Sequence, residues 1–298
     1  MQNWTMVKRN LQVFSSHPNG VIGFLLLTTW VVVALMADQL TPYDPLAQAL
    51  PPARAADSPA RQAPSTLYWF GTDEVGRDVF SRVLAGARIS LALGFISVAI
   101  GLAAGSLCGL VAGFYGSWVD GVIMRVMDAL LAFPGILLAL VVIAALGTSI
   151  QNVMIAVGIA IVPQYARLVR GLCLTIRELT YVEAAHVVGS GAARIIFRHF
   201  LPNIVAPLIV LSTLQIGQAI IYGSALSFLG MGAQPPTPEW GLIAAKGRDF
   251  FRKAWWISTY PSLAILSVVL AFNLLGDGLR SLLDPRLRLV RAAGRWDT

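Results

Sequence analysis

Residues 129–166 read ALLAFPGILLALVVIAALGTSIQNVMIAVGIAIVPQYA, 38 consecutive positions without Asp, Glu, Lys or Arg. A bilayer's hydrocarbon core is about 30 Å thick, and a helix crosses it with about 20 apolar residues. As one helix this run would measure about 57 Å, too long for one crossing and enough for two. Gly147-Thr148-Ser149 through Gln151-Asn152 interrupts it near its middle. The run therefore predicts two spans joined by a tight turn. Four further stretches lack the same charges: Asn10 to Ala37, Ile89 to Val119, His199 to Pro238 and Ala254 to Gly276. The stretch from His199 turns Gly- and Pro-rich after Phe228, so it holds one span. The expected fold is all-α: a polytopic membrane protein with six transmembrane helices, at roughly 21–38, 89–113, 129–147, 151–168, 204–229 and 259–279.

Composition agrees. Of 298 residues, 56% are hydrophobic and 12% are charged, against roughly 25% charged in a soluble domain. Disorder is excluded too, since it needs low hydrophobicity. The net charge of +7 then reads first as a topology signal and not as a nucleic-acid footprint. With the N-terminus cytoplasmic, inner segments hold 13 Lys and Arg and outer segments hold 9. That bias favours both termini in the cytoplasm. A signal peptidase site ending at Ala37 would place Leu35 where a small residue belongs, so the first span reads as a retained anchor. Cys108 lies in a span and Cys173 in a cytoplasmic segment, so no disulfide is expected.

The chemistry of an autonomous engine is missing. The lysines, Lys8, Lys246 and Lys253, are followed by Arg, Gly and Ala, so no phosphate-binding loop exists. His17, His186 and His199 form no His-Glu-x-x-His metal motif, and no Gly-x-Ser-x-Gly elbow is present. The span cores carry no ionisable Asp, Glu, Lys or Arg, whereas proton-coupled pumps place such groups in the membrane. No catalytic residue and no metal site is expected. Either the chain is a passive channel or another component supplies energy. Co-purification with or without ATPases would separate these.

Between the fourth and fifth expected spans, residues 178–189 read ELTYVEAAHVVG. Ala-rich sequence with Glu183 early favours a short helix, capped at its C-terminus by Gly189. Thr180 and Glu183 have capping-box spacing. Glu183-Ala184-Ala185, then Gly189, then Leu201-Pro202 resembles the signature of binding-protein-dependent ABC import permeases. One position departs: His199 stands where the signature has Ile. The resemblance implies that Tyr181 through Gly189 form a coupling helix seated in a groove of an ATPase. Residues 70–91, FGTDEVGRDVFSRVLAGARISL, 230–241, GMGAQPPTPEWG, and 270–288, LAFNLLGDGLRSLLDPRLR, are similar to second permease subunits of peptide, glutathione and nickel importers, dipeptide permeases most of all.

That resemblance implies a type I importer permease fold of the MetI-like kind, in a bacterial inner membrane. It implies a heterodimer with a second permease, two ATP-binding subunits and a periplasmic or lipoprotein substrate-binding protein. This chain would bind no cofactor, ATP and Mg residing on the partner ATPases. The implied cargo is di- or oligopeptides, with glutathione or nickel chelates as alternatives.

Several segments can be read physically. Phe80, Val83, Leu84, Ala87 and Leu91 recur on one helical face. They suggest an amphipathic interfacial helix leading into the second span, with Asp78 paired to Arg82. Its arginines would meet lipid phosphates or dock a partner. Trp240, Trp255 and Trp256 would sit at headgroup depth. Gln215, Gln218 and Tyr222 share one face of the fifth span, with Ser212 and Ser224 on the same span and Asn273 in the sixth. They line a translocation path or serve as interhelical hydrogen-bonding groups. Five arginines between Arg280 and Arg295 read as a lipid anchor or an ATPase contact. The chain would divide into a cytoplasmic N-terminus 1–20, a first helix 21–38, a periplasmic loop 39–88, a five-helix core 89–282 containing the coupling loop 170–203, and a basic cytoplasmic tail 283–298.

Overall fold

The computed structural model describes residues 18–48 and 60–283. The extreme N-terminus, Pro51, Pro52 and Pro59 of the long loop, and the arginine-rich tail past Leu283 lie outside the described residues. Within them the chain is helical: α1 (Pro18–Leu35), α2 (Val79–Tyr115), α3 (Ser117–Leu131), α4 (Gly135–Leu146), α5 (Ile150–Arg177), α6 (Thr180–Val187), α7 (Leu201–Phe228), α8 (Trp240–Gly247) and α9 (Trp256–Leu283). A turn of α-helix, Ala192–Ile195, and a π turn, Ile196–Phe200, lead into α7. Five helices are long and apolar enough to cross a membrane, and α3 with α4 forms a sixth candidate bent by 94°.

The span expected at 129–147 is therefore two helices, the end of α3 and the whole of α4, with a bend between them. Pro134 has no N–H, and it disfavours the helical region for Phe133 before it. The chain leaves the helix at Pro134 (φ −53°, ψ 130°). It restarts when Leu137 and Leu138 donate to the Pro134 carbonyl at 2.9 and 3.0 Å. The expected second span is also revised. Val79–Tyr115 is one helix of 37 residues, so the amphipathic segment and the span are continuous. No proline interrupts these residues, and the helix reaches about 55 Å.

The most extensive helix packing joins α2 to α5. The two run parallel. Gly101, Gly105, Gly109 and Gly113 meet Ile161, Tyr165, Ala166 and Cys173 in rising order. A Cβ on Gly105 would lie 2.5 Å from both the Tyr165 Cβ and the Val162 carbonyl oxygen, and one on Gly109 would lie 2.5 Å from the Ala166 oxygen. Spacing of four puts these glycines on one helical face. Small residues there let two backbones approach, so dispersion contacts substitute for the hydrophobic effect that lipid does not supply.

At the N-terminal end of α2 the side chains are spent inside the protein. Asp78 accepts from the Ser81 amide at 2.8 Å and caps α2, so it does not pair with Arg82. Arg82 is buried and donates to the carbonyls of Pro45, Pro236 and Thr237 at 3.0, 3.2 and 3.4 Å. Arg77 is buried against Asp73 at 2.6 Å. Arg88 bridges to Asp38 at 3.0 Å and to the Ala34 carbonyl. These partners replace the lipid phosphates expected for Arg77 and Arg82. Two tryptophans expected at headgroup depth are also internal. Trp240 donates to the Val83 carbonyl at 2.8 Å and Trp256 to the Thr72 carbonyl at 3.1 Å, while Trp255 is exposed.

Gly105→Leu should destabilise the protein by about 1–3 kcal/mol or more, because overpacking cannot be relieved against backbone. The measurement is the Tm of the detergent-solubilised protein. Gly121→Ala on α3 has nothing within 4 Å of the added carbon, and should leave Tm unchanged or slightly raised.

Candidate functional site

The C-terminal ends of α2 and α5 converge, and α6 is seated on them. Val182 is fully buried in a cluster with Val169, Cys173 and Ile176 of α5 and Ile195, Phe200 and Ile204 beyond the loop. Ala185 packs against the same cluster. Tyr181, Glu183, Ala184 and Val187 of α6 are exposed, as is Val188 behind it. Gly189 adopts φ +78°, in the left-handed region that glycine enters at no steric cost. The Ser190 amide then reaches the Ala185 carbonyl at 3.0 Å, closing a Schellman turn.

After Gly191 the chain enters the π turn, in which the Leu201 amide donates to the Ile196 carbonyl five residues back. Pro202 follows and has no N–H to offer the Arg198 carbonyl. His199, the departure from the signature, lies within this turn. Its ring sits 5.5 Å from that of Tyr181. Asn203 donates to the His199 carbonyl at 2.6 Å and to the Tyr181 hydroxyl at 3.3 Å. The structure thus brings Tyr181, His199 and Asn203 together, with Leu201 partly buried and Pro202 exposed. The role of Asn203 had no separate signal in the sequence. A cavity of about 470 Å³ opens beside α6, lined by Phe114, Arg177, Glu178, Glu183 and Phe200. Nearby, Arg170 forms a two-pronged pair with Asp120 at 2.5 and 2.6 Å, and Arg167 meets Asp128 at 2.6 Å.

The polar residues of α7 divide. Gln215 is buried and donates to the Gln164 side chain of α5. Ser212 accepts from the Tyr165 hydroxyl at 3.0 Å. Tyr222 rests against Gly135, at the start of α4 just past the proline break. Gln218 is half-buried, and Asn273 is exposed on α9, outside this hydrogen-bonded set. Gln164 and Tyr165 were missed in the sequence because they precede Arg167 by only a few residues and read as the end of a span.

At the far end of the bundle from α6, Glu239 begins α8. Its carboxylate accepts from the Gly241 and Leu242 amides at 2.9 and 2.8 Å and from the Ser224 hydroxyl at 3.4 Å. It is completely buried, and burial pushes its carboxyl up from the ordinary value.

Comparison with known proteins follows the same outline. The family described as "Binding-protein-dependent transport system inner membrane component" matches residues 105–289. The chain is 44% identical over 269 residues to the dipeptide transport system permease protein DppC of Alkalihalophilus pseudofirmus, covering 90% of this chain and 86% of that one. It is 47% identical over 274 residues to the glutathione transport system permease protein GsiD of Pectobacterium atrosepticum, covering 90% and 87%. To GsiD of Escherichia coli O6:K15:H31 it is 48% identical over 280 residues, covering 92% and 89%. Among solved structures, the MetNI methionine ABC transporter in an inward-facing conformation superposes with a TM-score of 0.56 at 18% identity. That match covers 68% of this chain and 97% of that one. It supports the MetI-like fold.

The raised carboxyl of Glu239 has a consequence for stability. The folded state holds its proton to higher pH than the unfolded state, whose value lies near 4.5. Stability therefore falls as pH rises from there through the raised folded value. Lowering pH from 7 towards 5 should raise Tm through this group. Glu239→Gln should flatten that part of the profile, read as the difference between the two Tm curves.

Proposed function

The chain belongs to the binding-protein-dependent transport system inner membrane component family, and from that premise we propose that it is the permease subunit of an importer for di- and oligopeptides. Membership itself makes it a multi-pass inner membrane protein and a non-catalytic subunit, working with an ATPase and a substrate-binding protein. The proposal adds a heterodimer with a second permease, two ATP-binding subunits, and both termini in the cytoplasm. The lean of Lys and Arg towards the inner segments supports that orientation. The names of the relatives support the cargo. One is a dipeptide permease, which favours di- and oligopeptides, and two are glutathione permeases, which make glutathione the alternative cargo.

The observation that carries the reading is the seating of α6. Val182 fastens this short helix to α5 and to Ile204 of α7, while Glu183 and Ala184 face outward. A push on α6 is therefore delivered to two spanning helices at once. In the proposed cycle the binding protein docks outside, ATP draws the ATPases together, and Tyr181 through Gly189 pass that closure to the bundle. Leu201 and Pro202 hand it to α7. The bundle needs two discrete arrangements, each favoured by a different set of contacts. Gln215, Gln218 and Tyr222 of α7 and Asn273 of α9 are the proposed lining of the path.

Two measurements test this. Ala184→Trp places a bulky ring on the exposed face of α6. It should leave Tm within a few degrees of the parent. It should also cut stimulation of ATPase activity by loaded binding protein at least tenfold, and unchanged stimulation would overturn the coupling role. Mass spectrometry of the ligand released from the co-purified binding protein should find short peptides. A metal chelate there would sink the peptide assignment and leave the coupling role standing.

A further inference from the structure

The segment between α8 and α9 concentrates charge that the transport reading does not use. Residues 246–253 read KGRDFFRK, four cations and one acid. Lys246, Arg248, Arg252 and Lys253 are all exposed. Asp249 meets only the neighbouring Arg248, at 3.4 Å and in solvent. Among the described residues no salt bridge reaches Lys246, Arg252 or Lys253. Two large apolar side chains are exposed beside them, Phe251 at 55% and Trp255 at 46%. The segment is held from both ends. Ser258 of α9 donates to the Ala244 carbonyl of α8 at 2.8 Å. A Cβ on Gly247 would lie 2.7 Å from the Ser258 nitrogen, so the end of α8 lies flush on the start of α9. Ala254 is fully buried, and its amide donates to the Phe250 carbonyl at 2.7 Å. Between these anchors Arg248–Phe250 is a 3₁₀ turn, continued where the Phe251 amide donates to the Arg248 carbonyl at 3.3 Å. Positions three apart share a side of such a turn, so Arg248 and Phe251 emerge together. With the backbone already fixed, little ordering is left to oppose binding.

The depth of this segment follows from the helices it adjoins. The spanning helix α9 begins at Trp256. Trp255, immediately before it, has its ring 5.9 Å from that of Tyr260, and Trp and Tyr collect where headgroups meet water. The Arg248 guanidinium lies 5.8 Å from the ring of Phe228, the last residue of the spanning helix α7. Two spans therefore end at the height of the cations, and the anion found at that height is a lipid phosphate. A guanidinium meets phosphate through two parallel N–H bonds, and aromatic bodies lie among the uppermost acyl carbons while their polar neighbours stay in water. An acidic protein surface would match the charge but leave Phe251 and Trp255 without a role. A zwitterionic headgroup brings its own ammonium, which opposes further cations. We propose that Arg248, Arg252 and Lys253, with Phe251 and Trp255 beside them, bind the phosphate of an anionic phospholipid such as phosphatidylglycerol, at the membrane face opposite α6. The site rests on the bundle spanning a membrane and is independent of the cargo and of the coupling role.

The test uses the assembled transporter, labelled with 5-fluorotryptophan, in phosphatidylcholine nanodiscs containing increasing phosphatidylglycerol. The Trp255 fluorine resonance is assigned with Trp255→Phe. It should shift with phosphatidylglycerol and level off before the disc is pure in that lipid. Phosphatidylethanolamine in its place should not shift it. Arg252→Gln and Lys253→Gln should each weaken the response about fivefold, the effect of losing one cation at an anionic surface. Arg125→Gln, on α3, removes the same charge elsewhere and should leave the response intact. The buried Trp240 resonance, unmoved throughout, serves as the fold check. No shift with phosphatidylglycerol, an undiminished shift in both patch variants, or an equal loss in Arg125→Gln would overturn the site. Glycerol 1-phosphate added to pure phosphatidylcholine discs should have no effect, and a saturable shift there would replace the lipid by a soluble phosphate. A shift produced only by adding the substrate-binding protein would make the patch a protein contact and overturn the lipid assignment.

Discussion

The contact between α2 and α5 is the constraint on which the rest of the molecule hangs. Four glycines at intervals of four bring the two backbones within reach of each other. Because the helices are parallel, their C-terminal ends arrive together. There Val169, Cys173 and Ile176 of α5 form the floor on which Val182 sits, with Phe114 of α2 packed against the same cluster. A wider α2–α5 separation would open that floor. The short helix with its exposed Glu183 and Ala184 would then have no fixed position. A contact made of absent side chains thus positions a surface made of present ones.

The other end is held by polar groups. Asp73 gathers the backbone of its own loop and the Arg77 guanidinium. Arg82 reaches across to the carbonyls before α8, Trp240 ties the start of α8 to α2, and Trp256 ties the start of α9 to the loop. Fixed hydrogen bonds at one end and close apolar packing along α2 and α5 make the bundle stiff where it is knotted. The short helix α6 is held chiefly through Val182, with Tyr181 tied to Asn203. Seating of that kind suits a part that must transmit motion.

Much of this was legible in the sequence, for reasons of solvent. A charge cannot be left in hydrocarbon cheaply, so charge-free runs outlined the spans. Gly189 marked a helix end because its backbone angle excludes most other residues. Most of the failures share a cause, which is that partners distant in the chain cannot be read from local periodicity. Asp78 and Arg82 have ideal spacing for a pair, yet Asp78 is spent as a cap and Arg82 on carbonyls some 150 residues away. Trp240 looked interfacial by type and proved internal because the Val83 carbonyl lay within reach. Pro134 was in plain view, but the charge-free count did not weigh it. The four glycines were equally visible, and only the fold reveals that α5 is what they face.

The π turn at Ile196–Phe200 sets an angle as well as a length. Each residue added to a helix rotates everything after it by about 100°. Relative to an unbroken α-helix from Ala192, the extra residue in this turn therefore fixes the azimuth of all of α7. Gln215 meets Gln164 and Tyr222 meets Gly135 because of a phase set 15 or more residues earlier, beside α6. The short helix and the polar face of α7 belong to one screw, and the orientation of one is written into the winding of the other.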